Sequence, residues 1–302
     1  MAGKLILPVL LLLFTGPLYP IEGTTSSRSD DGSSPQISLL QSFNFFGQHY
    51  SQIYVNHNGH LTFDSSWSSF TPQQFPMYGG RDIIAPYWTD LDNRGNGDIY
   101  YVQYTNGSIL QQVTQDINAY FPGLNFHANW VFIATWHEVA YFPMTGTQTT
   151  IQAILTTNGQ YSFVLMNYGS LANTSRLIQA GYDTISSSHH FSIPGSMSNN
   201  ASGSNSIFSL DSNVNVPGRW VFRVDHGSTG SHAHLPAPAS LSPSPVTLSA
   251  RRGASAIVDL SSMVTNVCHQ HHVVVIMKDA IGKLVNSSGT VKSVREFAPV
   301  MV

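Results

Sequence analysis

Short runs in which apolar and polar residues alternate recur between residues 53 and 225, the period of strands that bury one face. IYVNHNGHLTF (53–63) sets β-branched and aromatic residues on either side of an Asn-rich turn at 56–59, the pattern of a hairpin. DIIAPYW (82–88), DIYYVQY (98–104), WVFIATWHEVAYF (130–142), TIQAILTT (150–157), YSFVLMNY (161–168) and RWVFRVD (219–225) predict further strands. Asn158-Gly159 joins two of these runs as a two-residue loop. One segment breaks the period. In SILQQVTQDINAYF (108–121), Ile109, Val113, Ile117 and Tyr120 recur at helical spacing, with Leu110 beside them. Ser108 followed by Gln111 predicts a capping box, and Pro122-Gly123 a stop. The fold class expected is mainly β (α+β): an antiparallel sheet or sandwich with one amphipathic helix, whose apolar stripe needs that sheet for burial.

The ends of the chain have a different texture. MAGKLILPVLLLLFTGPLYPIEG (1–23) has one Lys, an apolar run from Leu5 to Phe14, then small residues and Pro. It predicts a signal peptide cleaved between Gly16 and Gly23, since the run is too short to span a bilayer. Residues 24–35, TTSSRSDDGSSP, are small and polar and predict a flexible leader to a domain over 36–226. HGSTGSHAHLPAPASLSPSPV (226–246) predicts an extended Pro/Ser linker over 227–246. Residues 247–302 hold one good strand candidate, HHVVVIMKD (271–279), and form a tail of low order.

Composition narrows the partners. The 302 residues carry 13 basic and 16 acidic side chains, a formal charge of −3, and 42% are hydrophobic. No basic stripe argues for nucleic acid, and no later apolar run argues for a membrane span. The single cysteine, Cys268, leaves the domain to be held by its core alone. Sequons at Asn106, Asn173, Asn200 and Asn286 fit an extracellular route.

Several long motifs in order carry a resemblance: IYVNHNGHLTF, FTPQQFP (70–76), RDIIAPYWTDLDNRGNGDIYY (81–101), ANWVFIATWHEVAYF (128–142) and VNVPGRWVFRVD (214–225). Together they resemble the nidogen-like (NIDO) domain family, in the style of alpha-tectorin and of sushi, nidogen and EGF-like domain proteins. The resemblance implies an extracellular module associated with cell-matrix adhesion, with matrix or cell-surface proteins or a second copy of itself as partner. It supplies no catalytic residues. Members of this family join the module to cysteine-rich repeats, and this chain shows none, so a short paralogue and a piece of a longer protein both fit.

The stretch YWTDLDNRGNGDIYY (87–101) raises the question of a metal. An EF-hand counted from Asp90 fails, because Arg94 falls at position five and Tyr101 at twelve. Two readings stay open. Asp90 and Asp92 share a strand face and Asp98 returns to meet them in a looser Ca²⁺ loop; or residues 93–97 form a plain hairpin turn, with no cofactor. TWHEVAY (135–141) begins like a zinc-protease helix but has Tyr141 where the second His belongs and alternates like a strand, with His137 and Glu138 on opposite faces. His189-His190 and Cys268-His269-Gln270-His271-His272 lack the two-pair spacing of a structural zinc site. Of Trp67, Trp88, Trp130, Trp136 and Trp220, most are expected in the core. With no catalytic grouping, three classes are ordered: a matrix-assembly or adhesion module, then a soluble Ca²⁺-dependent or lectin-like binder, then a hydrolase.

Overall fold

The computed structural model describes residues 17–143 and 145–226. The expected linker and tail, Asn286 and the tract around Cys268 lie outside these residues. The first half of the chain gives β1 (Thr24–Thr25), β2 (Ile37–Phe45), β3 (Gln48–Asn56), β4 (His60–Thr62), β5 (Ile83–Trp88), β6 (Leu91–Asp92) and β7 (Asp98–Tyr104). Then come α1 (Ser108–Tyr120), β8 (Trp130–Tyr141), β9 (Thr149–Thr157), β10 (Ser162–Tyr168), β11 (Gln179–Asp183), β12 (His190–Ser192), a single-turn α2 (Ile207–Leu210) and β13 (Arg219–Arg223).

The strands form two antiparallel sheets. One runs β1-β7-β8-β9-β10-β13, with β6 also on β8; the other runs β12-β11-β5-β4-β3-β2. The alternation in β8 shows why they stack. Trp130, Phe132, Ala134 and Trp136 point to the space between the sheets, where they meet Phe43, Val55, Leu61 and Ile84. Val131 and Ile133 point the other way, toward Leu110, Val113 and Ile117 of α1. A strand buried on both faces reads as a nearly continuous apolar run. The second sheet is covered outside as well: Ile83, Ala85 and Trp88 pack under Phe75, Trp67 and Met77 from the loop between β4 and β5. Trp88, Trp130 and Trp136 are fully buried, each ring stabilising the fold by roughly 1.5–3 kcal/mol or more through lost contact with water.

Helix α1 starts where the sequence places it but is capped differently. Its N-cap is Gly107 and no side chain closes the first turn, so the Ser108–Gln111 capping box does not form. Ser108 is itself the first helical residue, one position too late to cap.

Two of the edge strands, β13 and β2, have part of their outer backbone bonded by an amide side chain. Asn213 donates to the Val221 carbonyl at 2.8 Å and accepts the Val221 N–H at 2.9 Å, standing in for a strand beside β13. Gln103 of β7 accepts the Leu40 N–H at 2.9 Å and donates to the Ser38 carbonyl at 3.0 Å, bridging to β2 in the other sheet.

Residues 24–35 differ from the flexible leader their composition predicts. Thr24 and Thr25 pair with Tyr101 and Tyr100, Ser26 donates its N–H to the Ile99 carbonyl, and Ser34 exchanges bonds with Val55. Small polar residues here act through backbone pairing, which composition does not reveal.

Candidate functional site

The loop at 93–97 interrupts a strand path along β8 and does not close a hairpin. Leu91 and Asp92 pair with Tyr141 and Ala140, and after the loop Asp98 pairs with His137, so β6 and β7 lie along the same strand, β8. Opposite the loop, β8 has a bulge: its register on β9 shifts between Trp136 and Val139, and Glu138 takes φ 54°. Asn96 donates to the Glu138 carbonyl at 2.6 Å and to the Thr147 carbonyl at 2.9 Å, locking loop to bulge. Gly97, at φ 77°, lies against the Glu138 carbonyl where a Cβ has no room. The bulge breaks the alternation expected of His137 and Glu138, and both are partly exposed.

Each of the three acids singled out in the sequence faces an arginine. Arg176 donates to Asp90 at 2.7 Å, Arg94 to Asp92 at 2.8 and 3.0 Å, and Arg28 to Asp98 at 2.9 Å. The carboxylates that converge are a different set. Oxygens of Asp30, Asp31 and Asp90 all lie within 4.8 Å of one another, while Arg94 reaches from Asp92 to Asp30 at 2.9 Å. Asn58 donates to Asp31 at 2.9 Å. Burial raises the carboxyl pKa of Asp30, with the Asp92 charge adding to it, and burial likewise raises that of Asp90 against the pull of Arg176. Three carboxylates at this spacing are hard oxygen donors of the kind Ca²⁺ takes. The arginines already neutralise part of that charge.

Asp30, Asp31, Arg28 and Arg176 escaped the sequence reading. Asp30-Asp31-Gly32 ahead of the first long strand is the signal that could have found the two acids, within the stretch whose composition predicts a flexible leader. Asp98, one of the expected ligands, stays with Arg28 outside the converging group.

The sequons Asn106, Asn173 and Asn200 are all exposed. Two of them adjoin: the Ser202 hydroxyl accepts the Thr174 N–H at 3.1 Å and donates to the Thr174 carbonyl at 3.0 Å. Elsewhere a cavity of about 330 Å³ opens beside Phe46, Asp82, Ile185 and His189. The His189 ring stacks on Phe46 at 4.7 Å, and burial lowers its pKa. His190 bonds the Ser187 carbonyl at 3.0 Å instead of sharing a ligand site with His189. Among the described residues no helix is long and apolar enough to cross a membrane.

A two-sheet sandwich with covered outer faces and a polar surface defines a β-rich module presented on a chain, without an assembled catalytic group among the described residues. Residues 51–226 match the nidogen-like domain model, and the chain belongs to that family. It is 38% identical over 229 residues to mouse (Mus musculus) alpha-tectorin, covering 69% of this chain and 10% of that protein. Drosophila melanogaster nidogen is 30% identical over 211 residues, 64% of this chain and 15% of its own length. Caenorhabditis elegans dendrite extension defective protein 1 is 28% identical over 228 residues, 70% of this chain and 19% of its own. The matched region is thus a small part of each of these relatives. No solved structure matches. The module is of the kind carried by extracellular-matrix proteins, alpha-tectorin and nidogen among them.

Proposed function

We propose that this chain is secreted, N-glycosylated at one or more of Asn106, Asn173 and Asn200, and works as a matrix-assembly or adhesion module that binds another extracellular protein, or itself, through residues 36–226. The observation that carries the reading is the family match over the folded region to proteins of the extracellular matrix. The surface supports it: with a formal charge of −3 spread over few charged residues, capture of sulfated glycans by bulk charge is disfavoured, which leaves contact by shape. Exposed Leu40, Tyr78, Leu177 and Leu210 offer apolar anchors for such a contact.

The test is deposition. Tagged protein, full length and lacking residues 227–302, is secreted beside matrix-producing cells, and the layer is extracted with salt and then detergent. Both forms are expected in the insoluble fraction; free passage of both into the medium refutes the reading. The meeting of Asp30, Asp31 and Asp90 favours a second reading, a soluble Ca²⁺-dependent or lectin-like binder. Glycan-array binding that disappears with chelator would select it.

A further inference from the structure

We propose that the segment beginning at Pro17 is a permanent part of the folded module, so that export processing cuts the chain at or before the Gly16–Pro17 bond. This rests on the secretion reading above, and it divides the stretch 1–23 that sequence grammar treats as one removable leader.

The argument begins with Tyr19, which is 2% exposed and packs in the cluster between α1 and the first sheet. A single side chain holds its backbone. Gln152 of β9 accepts the Tyr19 N–H at 2.9 Å and donates to the Tyr19 carbonyl at 3.0 Å, the pairing a neighbouring strand would give. Gln152 is itself fully buried, so loss of Tyr19 would strand its amide away from water. The Tyr19 hydroxyl donates to Asp116 of α1 at 2.5 Å.

Arg219 of β13 depends on the same segment. It is 5% exposed and donates to Asn167, Asp116 and Tyr120, each at 2.9 Å. Its remaining nitrogen donates to the carbonyl of Pro17, and its guanidinium lies 5.0 Å over the Tyr19 ring. A buried guanidinium needs acceptors for its N–H groups. A chain starting at Leu18 removes one acceptor; a chain starting at Thr24 also removes the ring.

The rest of the domain keeps space for these residues. A Cβ on Gly218, at φ 79°, would meet the Pro17 ring at 3.3 Å, and one on Gly169 would meet a Leu18 methyl at 3.0 Å. Tyr104 then donates to Glu22 at 2.6 Å before Thr24 and Thr25 join β7. The segment is therefore stitched down at 17, 19, 22 and 24–26, and it closes the outer face of the first sheet where α1 ends. Cleavage is hydrolysis of one peptide C–N bond by an export endopeptidase, water giving its hydroxyl to the leader's acyl carbon and a proton to the released nitrogen.

Two arms test this. In the first, the full chain is expressed in secretory animal cells and the first residue of the exported protein is read by N-terminal labelling and mass spectrometry. A start at or before Pro17 is expected; a start at Leu18 or later overturns the proposal. Retention in the cells with Met1 intact would instead refute the secretion reading, and the second arm then decides. There a foreign export leader is joined directly to Pro17 or to Thr24 of the otherwise full chain. The Pro17 product is expected to melt about 6 °C or more above the Thr24 product, a shift of the size that losing several buried contacts gives a domain this large. Should the Thr24 product fail to accumulate, Tyr19→Ala within the Pro17 product supplies the same comparison. Equal melting overturns the proposal.

Discussion

Replacing Trp136 separates what a buried ring contributes by volume from what it contributes by its N–H. The side chain is fully buried between the sheets, and its indole N–H is shared by the carbonyls of Asn56 at 3.2 Å and His57 at 3.1 Å. Trp136→Ala removes both, leaving a cavity worth about 3–5 kcal/mol and unsatisfied carbonyl capacity worth about 1 kcal/mol more. Trp136→Phe keeps most of the apolar contact and loses the donor, so about 1–3 kcal/mol is expected. Those carbonyls belong to the turn between β3 and β4, where the Asn56 carbonyl also accepts the Gly59 N–H at 3.2 Å. Phe should therefore loosen that turn without opening the core. Urea unfolding of the purified protein, followed by fluorescence and circular dichroism at constant m-value, measures both costs. If Phe costs as much as Ala, the hydrogen bonds dominate and the packing argument is wrong. If Ala costs less than about 2 kcal/mol, the ring is not where the structure places it.

Three further outcomes follow from other residues. Burial lowers the pKa of His60 to about 4, below its ordinary value of 6.5, so the unfolded chain binds the proton more readily. Its contribution is complete above pH 6.5 and declines as pH falls, by about 2 kcal/mol at pH 5; His60→Gln should flatten that slope in denaturant titrations, and an unchanged slope refutes the assignment. Millimolar Ca²⁺ is expected to shift the melting temperature by less than about 2 °C, because arginines already face Asp90 and Asp30; a gain near the roughly 2.7 kcal/mol of a ligand at one hundred times its Kd, lost in Asp30→Asn and Asp90→Asn, would show a metal site. Glycosidase treatment and mass spectrometry of the exported chain should find glycan on one or more of Asn106, Asn173 and Asn200, and bare asparagine at all three would count against export.

The elements legible in the sequence are those whose pattern is local. A turn forms at Asn158-Gly159, with Gly159 at φ 89° and the Asn158 side chain accepting the N–H groups of Gln160 and Tyr161, but β9 ends at Thr157 and β10 begins at Ser162, so the connection takes four residues rather than the two expected. The helix spans Ser108–Tyr120 as its period required, and the two-sheet antiparallel architecture follows from the alternating runs. What escaped depends on partners distant in sequence. Nothing near Tyr19 announces Gln152, and nothing near Asp90 announces Asp30, because both pairings arise only when the N-terminal segment is laid against the first sheet. The hairpin expected at 93–97 failed for a related reason: its flanking strands find β8 instead of each other. Local turn chemistry fixes which residues bend, while the sheet decides where the bend leads.

The amides of Asn213 and Gln103 also set how this module can be concentrated. A free strand edge is a template on which any other chain can add, indifferent to side chains, and crowding in an extracellular deposit would reward such growth. By occupying the backbone groups of Val221 on β13 and of Leu40 and Ser38 on β2, two neutral side chains interrupt those templates at these positions. At these positions strand addition is opposed by two side chains that age chemically. Deamidation of Asn213 to Asp would remove the donor to the Val221 carbonyl and set a carboxylate in its place, reopening that stretch of the β13 edge to an added strand.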